Sequence, residues 1–515
     1  MTELEQQITE LVARWDRPGS PGGVVAVARD GVVTECVPFG SASLEHEVRN
    51  TRETVFYLAS TSKQFVAACS AVLEREGRLS ADDPVAKWVP EVEQLGDIRV
   101  HHLVHHTSGI RDKYALAAIA GLPIDTVGTD RGTMALLSRQ RSLNFEPGSR
   151  FMYTNSGYFL LAQVVERCSG QSLVEFADEH LFAPLGMSGT RFRPDTDDVI
   201  PHRASGHALR ADGTWRLAEY TWSSLGPGGV VSTVDSLARW GTVFSGGALD
   251  GLGERLIATR PLADGSPGAY AYGLQIGELD GRRLVQHGGG VQGFSAQLIQ
   301  VPDESLTVIC LANCTPVNAQ LVASQALRLA LGGGGSSPPA AAVEAAASPP
   351  TGSYLDSDEA SLVTVERGPD GEHALGIMGQ RIPLRPLGGD AWGVGVGQIT
   401  FDEQGMTLRI GETVGGRYRR LEPVAEVAEP ESYQGRYASD ELDVTLVLTA
   451  SDGALALTWP DQDPRALTPV GDDLFTLAVE GTTVPVRVLR DGDAITGLRI
   501  SVDRAIGTEF ARRPL

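Results

Sequence analysis

Three short stretches of this 515-residue chain carry side chains whose types and spacing suit acyl transfer. The first is Ser60-Thr61-Ser62-Lys63, where a spacing of three on a helix brings a hydroxyl and an ammonium to one face, about one turn apart. A serine hydroxyl is a weak nucleophile until a neighbouring base takes its proton. A desolvated lysine can take that proton or lower the pKa of another base. Read alone, the pattern also fits an N-cap serine followed by a solvated lysine. Lysine is scarce here, however: Lys63, Lys87 and Lys113 are the only ones among 43 basic residues, so a lysine in such a pattern carries weight. The second stretch is Tyr153-Thr154-Asn155, behind Glu146-Pro147-Gly148. Its phenol can share the serine's proton and its amide can bind a substrate carbonyl, although a tyrosine buried ahead of a helix gives the same letters. The third is His287-Gly288-Gly289, then Gly290, after a short apolar run and before another strand. Its glycines would let a substrate backbone pair with a strand edge, and in isolation it reads as a turn.

These stretches need a scaffold, and the pattern around them predicts an α+β domain. Apolar runs at Val24–Ala28 and Val32–Val37 flank an Arg29-Asp30-Gly31 turn and read as a hairpin. Helices are expected from Ser62 to about Glu76 and from Gly157 to about Cys168, stopped by Gly77 and Gly170. Strand-like runs return at Leu284–Gln286 and Ser295–Ala312, so the sheet should draw on both ends of the segment. Gly332 to Pro350, rich in Gly, Ser, Pro and Ala, has the composition of a linker. Beyond it the chain repeats itself. Gly352-Ser353-Tyr354 returns as Gly435-Arg436-Tyr437, and Pro386 to Trp392 returns as Pro469 to Phe475, both at an offset of 83 residues. Short alternating segments broken by Gly and Asp-Gly turns make each repeat a small antiparallel barrel. The expected organisation is a catalytic domain over 1–331, a linker over 332–351, and barrels over 352–425 and 426–515.

Composition narrows the partners. A net charge of -22 repels nucleic acid and anionic lipid. No run approaches the roughly 18 to 20 apolar residues of a membrane helix. The start is acidic and polar, reading as an amphipathic helix and not as a secretory signal, and five scattered cysteines without C-x-x-C spacing suit a reducing, cytoplasmic setting. His101, His102, His105 and His106 contain two i, i+4 pairs but no intervening Glu of the H-E-x-x-H kind, so neither a metal nor another cofactor is expected. The expected partners are a small peptide, amide or ester, with a homodimer as the self-association to examine.

Taken together and in this order, the three stretches resemble the class C β-lactamase, DD-peptidase and penicillin-binding family. The phrases His106-Thr-Ser-Gly109, Leu79-Ser-Ala-Asp-Asp-Pro84 and Gly228-Gly-Val-Val-Ser-Thr233 are similar to it as well. Over the whole chain, the two barrels and the H-G-G motif resemble the bacterial D-aminopeptidase branch, whose barrels are lipocalin-like. That resemblance implies Ser60 as nucleophile, Lys63 and Tyr153 sharing the base role, and Asn155, His287 and Gly289 on the substrate side. It also implies an oxyanion hole from the backbone N–H groups of Ser60 and Gly290. The implied activity is a D-stereospecific aminopeptidase or amidase working through an acyl-enzyme. The alternatives are an esterase or penicillin-binding-type thioesterase or peptide cyclase, and a receptor that acylates without turnover. The connection Val479 to Pro485 is shorter than its counterpart in that branch, with Glu480 as its acid, and implies a more open cleft.

Overall fold

The computed structural model describes residues 1–514 apart from 219–221, 269, 334–347, 358, 360, 369–370, 378–379, 395–396, 411–412, 423, 425–426 and 480–481. Most of the expected linker, and Glu480 in the barrel connection, therefore lie outside the described residues. The chain forms two compact units. One comprises 1–110, 127–138 and 145–336, and the other 111–126, 139–144 and 337–515.

The first unit is built on a six-stranded antiparallel sheet. Its strands are β1 (Gly23–Arg29), β2 (Val32–Phe39), β3 (Gln275–Leu279), β4 (Arg282–Val291), β5 (Phe294–Val301) and β6 (Leu306–Ala312), in the order β3-β4-β5-β6-β1-β2. The two ends of the segment thus meet at β6 and β1, with Gly23 opposite Ala312. The β1–β2 hairpin turns on Asp30 and Gly31, both at positive φ as a two-residue turn of the right twist requires. The run expected as one strand over Ser295–Ala312 is two strands, because the chain reverses at Pro302–Ser305, where Ser305 takes a φ of 48°.

The strands β1 and β6 are buried on both faces, which explains their unbroken apolar sequences. One face carries α1 (Glu3–Val12) and the last helix of the unit, Ala319–Ala330. Ile8, Val12, Val322, Ala326 and Leu327 fill the core against Val25, Ile299 and Val308. The other face is covered by Val234–Ser245 and by the turn that leads into α2 (Lys63–Arg75). This unit also contains α4 (Asn155–Ser169), whereas α3 (Lys113–Ala120) belongs to the second unit.

In the second unit, eight strands from Gly352 to Arg420 close one barrel and eight from Gly435 to Arg513 close another, each an antiparallel meander. The repeat is visible in the atoms. Tyr354 donates its hydroxyl to Pro350 O, and Tyr437 donates to Tyr433 O, each four residues upstream. Trp392 pairs with Pro386 and Phe475 with Pro469, beside a bulge at the same place in each. Both interiors are packed with side chains, Tyr354, Leu375, Trp392 and Ile399 in the first and Tyr437, Leu457, Phe475 and Phe510 in the second. The second barrel also holds the inserted segments. Trp459 donates to Ile119 O at the end of α3, and Glu441 accepts from Arg111 Nη1 at 2.6 Å, Arg141 N at 2.8 Å and Ser142 Oγ at 3.1 Å. Among the described residues no helix is long and apolar enough to cross a membrane.

Candidate active site

The first unit assembles the site where the turn Ala59–Ser62 enters α2. Ala59 holds φ at 48°, a left-handed conformation that costs an ordinary L-residue roughly 1–2 kcal/mol, and half-buried Ser60 follows it. Ser60 is therefore on the turn ahead of the helix and is not its N-cap. Lys63 opens α2 and is fully buried, which removes the reading of a solvated lysine. Its Nζ lies 3.1 Å from Ser60 Oγ, 3.0 Å from Asn155 Oδ1 and 2.8 Å from the carbonyl oxygen of Pro227. The Tyr153 ring centroid is 4.7 Å from the same nitrogen. An amide oxygen and a peptide carbonyl can only accept, so two N–H groups of Lys63 are committed to them. The third position on the nitrogen faces Ser60, as an N–H in the ammonium or as a lone pair in the neutral amine.

The Pro227 carbonyl reaches the lysine from a run, Gly226-Pro227-Gly228-Gly229, in which the glycines on either side of the proline carry no side chain. A Cβ at Gly228 would lie 2.6 Å from Tyr57 Oη, and Gly226 takes a φ of 114°. Gly229 N–H donates to Tyr57 Oη and Val230 N–H to Ser62 Oγ, which pins the run to the turn. The sequence flagged Gly228–Thr233 without a role, and nothing in its letters says which carbonyl meets Lys63.

The third motif lies inside β4 and is not a turn. The strand runs straight through His287, Gly288, Gly289 and Gly290, paired with Leu298, Gln297, Ala296 and Ser295 of β5. The ladder with β3 stops at Gln286. Gly289 is needed by close approach: a Cβ there would stand 2.0 Å from Leu58 O and 3.0 Å from Thr61 Oγ1. Thr61 Oγ1 also donates to His287 O, so the strand and the Ser60 turn are tied together. Gly290 is exposed, and a methyl group added there would meet nothing within 4 Å.

The His287 side chain is 3% exposed. Its Nδ1 is 2.6 Å from Gly288 O and its Nε2 is 2.9 Å from Tyr270 Oη. Burial, and next the Lys63 charge, pull its pKa down to about 3, against a smaller opposing effect of the bond to Gly288 O. Both effects favour the neutral imidazole.

Behind Tyr153 stands the His106-Thr-Ser-Gly loop. His106 Nδ1 accepts from Thr154 N–H at 3.1 Å, its carbonyl accepts from Met152 N–H, and its ring lies 4.3 Å from that of Tyr153, centroid to centroid. The other histidines of the cluster are engaged elsewhere. His101 Nδ1 donates to Ala81 O, His102 Nδ1 accepts from Arg99 N–H, and His105 Nδ1 donates to Tyr270 O. Among the described residues, no three His, Cys, Asp or Glu side chains converge as a ligand set. Tyr270, which touches His287, His106 and Tyr153, is the site residue that sequence reasoning missed.

Residues 4–331 match the family described as Beta-lactamase. The chain belongs to that family. Among its relatives, a D-aminopeptidase of Brucella anthropi is 29% identical over 513 residues, covering 96% of this chain and 95% of its own length. A D-aminopeptidase of Gluconobacter oxydans is 27% identical over 527 residues, with 96% of each chain covered. Among solved structures, the octameric penicillin-binding protein homologue from Pyrococcus abyssi aligns with a TM-score of 0.60 at 24% identity, over 90% of this chain and 99% of its own. The β-lactamase-type fold with two trailing barrels, expected from the motifs and the repeat, is the fold observed.

Proposed function

We propose that this Beta-lactamase-family protein is a D-stereospecific serine aminopeptidase or amidase, and that Ser60 carries the acyl group. The observation that carries this reading is the convergence on buried Lys63 of Ser60 Oγ, Asn155 Oδ1 and Pro227 O. With two N–H groups held by carbonyl oxygens, a neutral Lys63 presents its lone pair to the serine proton, while Tyr153, beside the same nitrogen, completes the proton path. Ser60 Oγ then bonds to the substrate carbonyl carbon. The oxyanion is received by the backbone N–H groups of Ser60 and Gly290, and the leaving amine departs with the proton. Water repeats the sequence to free the acid. The N–H donors of such a hole are commonly worth about 3–4 kcal/mol each.

The D-preference rests on the whole-length likeness to the two D-aminopeptidases. The neutral, buried His287 supports substrates that offer no carboxylate to the third motif, hence amides, esters and N-terminal residues over penicillins. Part of the same proposal are the domain limits at 331, 352 and 426 and a reducing compartment, which five unpaired thiols suit. Self-association is to be measured, the Pyrococcus abyssi homologue being octameric. The test is kcat/KM for D-alanyl and L-alanyl p-nitroanilides, their N-acetylated forms and a cephalosporin. The reading expects the D-amide to lead. Preference for the L-amide, or rapid cephalosporin hydrolysis, overturns it.

A further inference from the structure

His287 has two ring nitrogens and two close neighbours, and their chemistry fixes where its proton sits. Nδ1 is 2.6 Å from the carbonyl oxygen of Gly288, which can only accept, so Nδ1 carries hydrogen. A neutral imidazole has one N–H, which leaves Nε2 as an acceptor facing Tyr270 Oη at 2.9 Å. Tyr270 has one proton and a second acceptor, the Tyr158 hydroxyl, whose own proton goes to Val104 O at 2.9 Å. If Tyr270 donated to Tyr158, Nε2 would need a hydrogen as well and the ring would be a cation. Full burial opposes that, whichever charge Lys63 carries. The phenol proton therefore points at His287.

Tyr270 is itself held. It is 2% exposed, its carbonyl accepts from His105 Nδ1 at 2.9 Å, and its ring lies 4.6 Å from His106 and edge-on to Tyr153. Among the described residues, the charged or titratable groups around the imidazole are Lys63, Tyr153, Tyr158, Tyr270 and His106. None offers a carboxylate that would favour an imidazolium.

We infer that Tyr270 is a positioning residue that donates to Nε2 and locks His287 as an inward-facing acceptor, so that the segment His287–Gly290 meets substrate through its backbone and offers no side-chain donor to a substrate carboxylate. The inference rests on the reading of Ser60 as nucleophile and adds to it a determinant of selectivity. Removing the hydroxyl leaves Nε2 without its donor and the ring free to reorient or gain a proton. A substrate carboxylate can then be recognised where the wild type has nothing for it.

The experiment uses the full chain with 15N-imidazole-labelled histidine and two paired substrates, N-acetyl-D-alanyl-D-alanine and its C-terminal amide. In the wild type, the His287 resonances, assigned by their loss in His287→Gln, should show the Nδ1–H tautomer at both pH 7 and pH 5.5. In Tyr270→Phe the Nε2 resonance should move away from that of a hydrogen-bonded acceptor. The kcat/KM ratio of acid to amide should rise at least fivefold at pH 5.5. A wild-type Nε2–H tautomer or imidazolium overturns the inference whether or not the variant folds, and so does an unchanged ratio in a folded Tyr270→Phe. Failure of the Ser60 reading would show separately, as turnover surviving Ser60→Ala, and would leave the tautomer measurement untouched.

Discussion

Replacing Gly289 with alanine puts one methyl group where β4 passes the Ser60 turn. That Cβ would sit 2.0 Å from Leu58 O, whereas ordinary contact begins near 3.4 Å, so strand and turn must part by about 1.4 Å. The obstacle is backbone, which no rotamer change can clear. Overpacking of this kind costs roughly 1–3 kcal/mol of stability. The larger effect falls on rate, because displacing reacting groups by about 1 Å costs on the order of 100-fold. The assay is kcat/KM on D-alanyl p-nitroanilide together with the melting temperature. Two variants calibrate it: Gly277→Ala on β3, whose methyl would meet nothing closer than 3.5 Å, and Gly290→Ala, whose methyl would meet nothing within 4 Å and which keeps its N–H. Gly289→Ala should lose at least tenfold more activity than either. Equal losses at 289 and 277 would refute the close approach of β4 to the turn.

Three other outcomes follow from the same geometry. Lys63→Ala should lower kcat by several orders of magnitude with little change in KM, since members of a coupled unit cost nearly as much singly as together; a loss confined to KM would mean that Lys63 only binds. Buried His105 and His287 have folded pKa values near 4 and 3, below the 6.5 of the unfolded chain, so the unfolded state binds protons that the folded state does not. Their contribution is complete above pH 6.5 and lost as pH falls, up to about 2 kcal/mol each by pH 5; a melting temperature flat from pH 7 to 5 would contradict this. Glu441→Ala removes the carboxylate paired with Arg111, 4% exposed, and should destabilise the barrel-containing unit by about 3 kcal/mol, read as a lower midpoint of its thermal transition, with Glu441→Gln milder.

Local signals carried far in this sequence, and long-range ones did not. The Ser60–Lys63 spacing was legible because one helical turn is enough to bring the two together, even though the structure places Ser60 on a preceding turn. The barrels were legible because a repeat writes the same residues twice, as Tyr354 and Tyr437 show by bonding alike. His287-Gly-Gly read as a turn because glycines ordinarily interrupt strands; only the backbone of Leu58, some 230 residues away in sequence, explains why a strand needs glycine there. Pro227 acts through a carbonyl that every residue possesses, and Tyr270 is an isolated tyrosine whose partner is set by the fold. The segments 111–126 and 139–144 pack with the barrels through Arg111, Gln140 and Arg141, and such pairings with Glu441 leave no periodicity to detect.

Acylation of Ser60, as proposed above, is read by intact-protein mass spectrometry after exposure to a fluorophosphonate. The full chain should gain one adduct, mapped by peptide digestion to the segment containing Ser60. Ser60→Ala should gain none and lose D-alanyl amide turnover while keeping its melting temperature, since Ser60 is half-buried at the site and outside the packed core. An adduct on another residue, or turnover near wild type in Ser60→Ala, would rule out Ser60 as the nucleophile.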